Sequence, residues 1–204
     1  MIKSCGICLA VNPEGQERLE PLKIKAVPLK PFSNVHIDLF GPLESGVTIL
    51  GIIDEFSRWP DLYTLDEIQT KHVIEALDKT FSRFGNPDKL TSDNGPQFTS
   101  WEFKNYLAKE GIHHHLTTPY YPQSNSSIER FFRTLKKFVK VCSINKAELS
   151  RQLSEFLKMY RNTPIRATGC TPAEMVLRYN PNCKIPSFDN YTKQSTKSIY
   201  DKAS

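Results

Sequence analysis

The segment LTSDNGPQF, at residues 90–98, places the end of a strand next to a tight turn. Lys89 to Ser92 has the pattern of a short β-strand, and the pair Asn94-Gly95 is a turn signal that reverses the chain. Asp93 therefore stands at the carboxyl end of a predicted strand. In open α/β sheets, ligands bind beyond the carboxyl ends of strands, so this position predicts a functional carboxylate.

Two further carboxylates stand out by their position relative to Asp93. Asp38 lies in the segment VHIDLFGP at residues 35–42, where a strand is expected, and Glu129 follows Asp93 after thirty-five intervening residues. If the three carboxylates converge, their hard oxygen atoms suit Mg²⁺ or Mn²⁺. Two such ions about 3.5–4 Å apart activate a nucleophile and stabilise the leaving oxygen of a phosphodiester.

The first half of the chain has the pattern of an α/β fold, with a mixed five-stranded sheet flanked by helices. Apolar residues predict three strands joined by short connections, as expected for an antiparallel meander, at residues 35–40, 48–54 and 61–65. A helix is expected at residues 70–84, where Gly85-Asn86-Pro87 ends it.

The segment after Asp93 is predicted to contain one more helix and one more strand. Thr99 and Glu102 have the spacing of a capping box, which would open a helix that runs to Gly111. A fifth strand is expected at residues 112–117. The last three strands of such a pattern usually pair in parallel through helical crossovers.

The second half of the chain is predicted to be helical. The first helix carries an apolar stripe with the 3.6-residue period: Ile128, Phe132, Leu135, Val139 and Cys142. Glu129, Arg133 and Lys136 follow the same steps on an adjacent face, so one helix can hold a metal ligand and phosphate-binding cations in line. A second helix is expected at residues 149–162, and a capping box at Thr171 and Glu174 opens a third.

The charge is concentrated in this helical half. The whole chain of 204 residues has a formal net charge of only +5, whereas residues 129–166 contain ten Lys or Arg against three Glu. Basic side chains beside a carboxylate cluster suit a polyanionic substrate held near metal ions. The alternative interpretation is a solvated helix face. No apolar run reaches the length of a membrane span and no signal peptide is visible, so no membrane partner is expected.

The termini are predicted to be appendages of the central domain. Cys5 and Cys8 have metal-ligand spacing, but zinc needs four ligands, so they are either half of a zinc site or two ordinary thiols. Residues 12–31 contain four prolines and suit an extended linker. After Asn180 the chain is polar, without apolar periodicity, and is expected to be loosely ordered.

Several other polar residues are predicted to be structural. Asp54, close to Arg58 at a strand end, is expected to form an ion pair or cap a turn. The run of three histidines at residues 113–115 resembles a metal cluster, but in a strand the middle residue points away from the other two. Trp59 and Trp101 are expected in the core or in an interface.

Residues 32–178 resemble the catalytic core of retroviral and retrotransposon integrases, with most similarity to Gypsy-type elements. The resemblance is carried by six segments that are weak singly and specific together: HIDLFGP at 36–42, IDEFSRWP at 53–60, TSDNGPQF at 91–98, YPQSN at 121–125, ERF at 129–131 and TPAE at 171–174. Cys5 and Cys8 resemble the end of the family's His-His-Cys-Cys zinc domain, which implies a possible Zn²⁺ site that is incomplete in this chain.

The resemblance implies an RNase-H-like fold and the two reactions of integration: removal of nucleotides from the 3′ ends of the element by water, and transfer of the new 3′ ends into target DNA. Asp38, Asp93 and Glu129 match the catalytic triad that binds Mg²⁺ or Mn²⁺, with two ions in the active state. Five residues match DNA-contact positions: Asn94, Tyr120, Asn125, Arg133 and Lys136. The implied domains are a zinc-domain remnant with its linker at residues 1–31, the catalytic core at 32–180 and a polar tail at 181–204.

The implied partners are DNA and further copies of the chain, and the implied location is the nucleus. One departure from the family is Ser126, where many relatives have a glycine, because serine resists backbone conformations that glycine permits. Two alternatives therefore stay open. The chain could be a domesticated DNA- or protein-binding module without activity, or an RNase-H-like nuclease that cleaves without joining.

Overall fold

The computed structural model describes residues 28–117, 126–142, 146–179 and 181. Four of the residues selected from the sequence lie outside these ranges: Cys5, Cys8, Tyr120 and Asn125. Most of the predicted linker and of the polar tail also lie outside them, as does the side chain of Cys142.

The described residues form five strands and six helices. The strands are β1 Asn34–Phe40, β2 Thr48–Asp54, β3 Pro60–Leu65, β4 Lys89–Ser92 and β5 His113–Leu116. The helices are α1 Thr70–Phe84, α2 Pro96–Thr99, α3 Trp101–Lys109, α4 Ser126–Cys142, α5 Lys146–Arg161 and α6 Pro172–Leu177. None of the helices in the described ranges is long and apolar enough to cross a membrane.

The five strands form one mixed sheet in the order β3-β2-β1-β4-β5. Strands β1, β2 and β3 form the predicted antiparallel meander, and the pairs β1–β4 and β4–β5 are parallel. The expectation that the last three strands would pair with one another is wrong for β3, which lies at the edge of the sheet. Helix α1 connects β3 to β4 across β2 and β1, so β4 pairs in parallel with β1.

Helices cover both faces of the sheet. One face packs against α1 and α3 through a core that contains Val35, Ile37, Leu50, Ile52, Leu77 and Phe103. The other face packs against α4 and α5 through a core that contains Ile49, Ile53, Ile128, Phe132, Leu135 and Leu153. Alternate residues of β1 and β2 thus serve different helical layers, as the period of a strand requires.

The two predicted capping boxes have different outcomes. Thr171 and Glu174 form both hydrogen bonds of the box at the start of α6. The box predicted at Thr99 is wrong, because the chain first forms the short helix α2, in which the hydroxyl of Thr99 donates to the carbonyl of Gly95. Ser100 caps α3 instead, where its Oγ accepts a hydrogen bond from the backbone N–H of Phe103 at 3.2 Å.

Asp54 caps the turn between β2 and β3, as predicted. Its carboxylate is fully buried and accepts hydrogen bonds from the backbone N–H groups of Phe32 at 2.9 Å and Ser57 at 2.8 Å. The hydroxyl of Ser57 donates a further bond to it. Burial raises the pKa of Asp54, and these donors oppose the shift. The carboxylate therefore holds the turn that leads into β3.

A buried ion cluster fastens α5 and α1 to the edge strand β3. Asp61, whose side chain is 4% exposed, pairs with Arg83 of α1 at 2.7 Å and with Arg161 of α5. The guanidinium of Arg161 also donates to the carbonyl of Pro60 at 2.8 Å and lies 4.3 Å from the ring centroid of Trp59. Trp59 is therefore a core residue, whereas Trp101 is 79% exposed.

We expect Arg161→Ala to lower the free energy of unfolding by about 3 kcal/mol, because it leaves Asp61 buried with only one of its two cationic partners. Urea denaturation followed by circular dichroism measures this loss. The matched control is Arg151→Ala on the same helix, where the arginine forms an exposed i,i+3 pair with Glu148. Equal unfolding midpoints for the two variants would contradict the anchoring role of Arg161.

Candidate active site

Asp38 lies in the middle strand of the sheet, on the face that α4 covers. In the antiparallel register it stands directly opposite Gly51 of β2. The flanking residues Ile37 and Leu39 point to the other face. One oxygen of the carboxylate, Oδ1, accepts a hydrogen bond from the backbone N–H of Leu39 at 2.8 Å, which orients the side chain.

Asp93 arrives beside Asp38 through the parallel pairing of β1 with β4. The register pairs Asn34 with Lys89 and His36 with Thr91, so its continuation by two residues brings Asp93 next to Asp38 on the same face. Asp93 is exposed, and its Oδ1 accepts a hydrogen bond from the N–H of Gly95 at 3.0 Å. The turn that the sequence predicted after β4 thus holds this carboxylate.

Glu129 is contributed by the first turn of α4 and is exposed. Its neighbour Ile128 is fully buried against the sheet, and Phe132, one turn further, packs in the same core. The helix therefore lies flat on the face that carries Asp38, with Glu129 beside its buried side.

The electrostatics of Asp38 show that the other two carboxylates act on it. The pKa of Asp38 is raised to about 6, mainly by burial, with the negative charges of Asp93 and Glu129 also raising it and the hydrogen bond from Leu39 opposing the shift. The end of β1, the end of β4 and the start of α4 therefore meet, although Asp38 and Glu129 are ninety-one positions apart in the sequence.

The donor set fits a hard divalent cation in chemistry and charge. All three side chains offer carboxylate oxygens, and their mutual repulsion is of the kind that a bound cation relieves. As the side chains stand, however, the described residues contain no group of three or more His, Cys, Asp or Glu that could hold a metal ion. The site thus consists of suitable ligands in an open arrangement.

Behind Asp93, a polar contact secures the end of β4. The hydroxyl oxygen of the buried Ser92 lies 2.9 Å from both the carbonyl oxygen of Asp93 and Nε2 of His114 on β5. The ring of His114 packs edge-on against Phe103, and burial, with Lys104 nearby, lowers its pKa. The structural role predicted for the histidine run is confirmed for His114, which supports the strand that carries Asp93.

The residues predicted to contact DNA are placed differently from one another. Asn94 follows Asp93, but its Nδ2 donates to the carbonyl of Thr117 at 2.8 Å, so this amide ties the turn to the end of β5. Arg133 and Lys136 are exposed on α4, one and two turns beyond Glu129. Tyr120 and Asn125 belong to the part of the chain outside the described residues.

Sequence reasoning missed the support that Gly51, and the bond between Ser92 and His114, give to the carboxylates. Gly51 carried a recognisable signal, since a glycine inside an apolar strand often marks a close approach of another group. The bond between Ser92 and His114 carried no such signal, because it depends on the pairing of two strands.

We expect Asp38→Asn to stabilise the metal-free protein at pH 7–8 by roughly 1–3 kcal/mol, because the variant no longer buries a charge close to two others. The folded chain binds the proton of Asp38 more tightly than the unfolded chain does. The contribution of Asp38 to stability therefore falls as the pH rises from about 4 to about 6, and the variant lacks this fall.

Urea denaturation between pH 3.5 and 8, with chelator present, measures this effect. The difference between the variant and the wild type isolates Asp38, since the pKa of Asp54 is also raised. Asp88→Asn, which changes an exposed carboxylate, is the matched control and keeps the wild-type profile. An Asp38→Asn variant that is no more stable than the control at pH 7–8 contradicts the electrostatic account.

Comparison with known proteins agrees with this geometry. The sequence profile of the family described as "Integrase core domain" matches residues 28–122. An uncharacterized protein of Caenorhabditis elegans is 35% identical over 175 residues, which cover 85% of this chain and 14% of that protein. The Gag-Pol polyprotein of walleye dermal sarcoma virus is 33% identical over 181 residues, which cover 85% of this chain and 10% of the polyprotein. The chain thus spans a small part of these relatives.

Solved structures share the fold. The simian T-cell lymphotropic virus intasome in complex with PP2A regulatory subunit B56 gamma superimposes with a TM-score of 0.71 at 20% identity, covering 91% of this chain and 66% of that one. The HTLV-2 integrase catalytic core domain in complex with magnesium gives a TM-score of 0.59 at 19% identity, covering 72% of this chain and 97% of that one. These structural likenesses and the sheet order show the RNase-H-like fold. The sequence profile and the relatives show that the chain contains an integrase core domain of the kind found in retroviral and retrotransposon polyproteins.

Proposed function

We propose that this chain is the catalytic core of an integrase-type DNA recombinase, which processes the 3′ ends of an element and transfers them into target DNA. The observation that carries the proposal is the convergence of three carboxylates: Asp93, in the turn after β4, and Glu129 of α4 are close enough to Asp38 of β1 for their charges to raise its pKa. Membership of the integrase core family supports the general kind of chemistry.

In this proposal, the three carboxylates hold two Mg²⁺ or Mn²⁺ ions. When bound, such ions supply an activated nucleophile and a stabilised leaving oxygen for phosphodiester chemistry. The chain orients its ligands through the backbone: Leu39 N–H holds one oxygen of Asp38 and Gly95 N–H holds one oxygen of Asp93. To hold a metal ion together, Asp38, Asp93 and Glu129 would have to approach one another more closely than they do here. The relative with magnesium in its catalytic core supports this choice of metal.

The exposed basic face of α4 is the proposed DNA-binding surface, with Arg133 and Lys136 on phosphates of the element ends. Both side chains are exposed and lie on the helix that carries Glu129, so DNA held by them runs toward the carboxylates. Asn94, Tyr120 and Asn125 are proposed to contact the DNA near the scissile phosphate. For Asn94 this role falls to the second N–H of Nδ2, because the first is donated to the carbonyl of Thr117.

Further parts of the proposal concern assembly and location. Two DNA ends have to be joined to one target, so the active state is proposed to be a homo-oligomer. Solved structures with this fold include an intasome and trimeric and dimeric forms of a catalytic core, which supports this proposal. The proposed location is the nucleus, by resemblance to the integrase family. Cys5 and Cys8 are proposed to belong to a Zn²⁺ site that needs further ligands.

The central test is joining of a pre-cleaved DNA end to target DNA with Mg²⁺ or Mn²⁺. We expect the wild type to join the strands, and Asp93→Asn and Glu129→Gln to reduce joining to background while leaving DNA binding intact. Glu148→Gln, an exposed glutamate near the start of α5, is the matched control and keeps wild-type activity.

The alternatives give different results in the same assay. A wild type that binds DNA without strand chemistry under either metal, and that is unaffected by the two substitutions, indicates a domesticated binding module. A wild type that cleaves DNA in a metal-dependent way but never joins the pre-cleaved end indicates an RNase-H-like nuclease. Either result overturns the proposed recombinase activity of this chain.

Substitution of the two cations tests the DNA-binding surface. We expect Arg133→Ala and Lys136→Ala each to weaken DNA binding and to reduce the slope of log affinity against log salt by about 0.9, because each removes one phosphate contact. Fluorescence anisotropy with a labelled duplex at several salt concentrations measures both quantities. Lys158→Ala, an exposed lysine of α5 paired with Glu155, is the control. Unchanged slopes for the α4 variants refute the assignment.

A further inference from the structure

Gly51 lies at the point where α4 comes closest to the sheet. It is buried in the middle of β2, directly opposite Asp38, and so shares a face with that carboxylate. A Cβ atom on residue 51 would lie 2.5 Å from Cε1 and 2.6 Å from Cζ of Phe132, and 3.6 Å from Cδ1 of Ile128. The ring of Phe132 therefore rests in the space that the missing side chain leaves.

The ring in this space is one helical turn from Glu129. Ile128 and Phe132 flank Glu129 on α4, and both reach the backbone of Gly51. Residues three and four apart on a helix lie on neighbouring positions of one face, so the depth at which Phe132 sits fixes the height of Glu129 above the sheet. Asp38 lies on β1, the strand next to Gly51. The height of Glu129 above the sheet therefore sets its distance from Asp38.

The ring has little room to yield. Phe132 is 8% exposed, and its ring centroid lies 5.5 Å from that of Phe40 and 5.9 Å from that of Phe131. Ile128 and Leu135 are fully buried on the same helix. A side chain at position 51 therefore displaces either a confined ring or the helix that carries it.

We propose that the seat formed by Gly51 for Phe132 is a positioning device, which sets the separation between Glu129 and Asp38 and thereby the affinity of the carboxylate site for divalent metal. Neither residue carries a polar side chain or contacts a reacting atom. They act through the backbone of α4. The expected changes in metal affinity and strand joining rest on the proposed function, whereas the expected change in the position of α4 does not.

The test is a compensation experiment with three variants: Gly51→Ala, Phe132→Leu and the double variant. Leucine lacks the Cε1 and Cζ atoms that meet the new methyl group, so the double variant restores room for the helix. We expect Gly51→Ala to reduce Mn²⁺ affinity and strand joining by about 100-fold, since a displacement near 1 Å at a reacting centre has that effect. We expect the double variant to recover most of the loss.

Mn²⁺ binding is measured by calorimetry at a temperature where circular dichroism shows every variant to be folded. The control is Leu153→Val on α5. This change loosens the same core, but the side chains nearest to a Cβ atom at position 51 are those of Phe132 and Ile128. It lowers the unfolding midpoint but leaves metal affinity unchanged. A purely structural role of Gly51 would make Gly51→Ala behave like this control, with normal metal affinity in the folded protein, and that result overturns the inference.

Crystal structures of the wild type and of Gly51→Ala keep the inference separate from the proposed function. If the wild type binds no Mn²⁺, the proposed metal chemistry fails, but the distance between the Cα atoms of residues 38 and 129 still decides the positioning role. An increase of that distance in Gly51→Ala that the double variant reverses supports the inference. An unchanged distance, with the ring of Phe132 simply rotated, overturns it.

Discussion

The parallel pairing of β1 with β4 is the constraint on which the rest of the site depends. It aligns two strands whose residues are far apart in the sequence and places Asp38 and Asp93 side by side on one face of the sheet. The antiparallel pairing of β1 with β2 on the other side then puts Gly51 next to Asp38. A one-residue shift in the pairing of β1 with β4 or with β2 would turn one of the paired residues to the opposite face of the sheet, which packs against α1 and α3.

This arrangement carries an electrostatic cost that the fold offsets elsewhere. Asp38 is partly buried and lies near two other carboxylates, and its raised pKa expresses first the loss of solvent around the charge and then the repulsion by its neighbours. Extensive apolar burial on both faces of the sheet supplies the compensating stability. Local destabilisation of this kind is typical of functional sites, because the arrangement of charges that function requires lowers the stability of the fold.

Much of the fold could be predicted because its signals are local. Strand alternation in β1 and β2, the 3.6-residue stripe of α4 and the cap at Thr171 all depend on neighbours in the sequence. The cap of α3 could not be assigned, since Thr99 and Ser100 both offer a hydroxyl and only the short helix α2 decides between them. The pairing of β4 with β1 and the bond between Asn94 and Thr117 depend on topology, which periodicity does not specify.

The buried ion cluster at Asp61 has a consequence for the order of folding. Asp61 and Arg161 are 100 residues apart in the chain, whereas Asp61 and Arg83 are 22 apart. Synthesis from the N-terminus at about 5–20 residues per second leaves an interval of roughly 5–20 s before Arg161 follows Asp61 out of the peptidyl transferase centre. Of the two arginines, Arg83 is therefore made long before Arg161. The ion cluster is complete only once α5, the last long helix of the described ranges, has been synthesised.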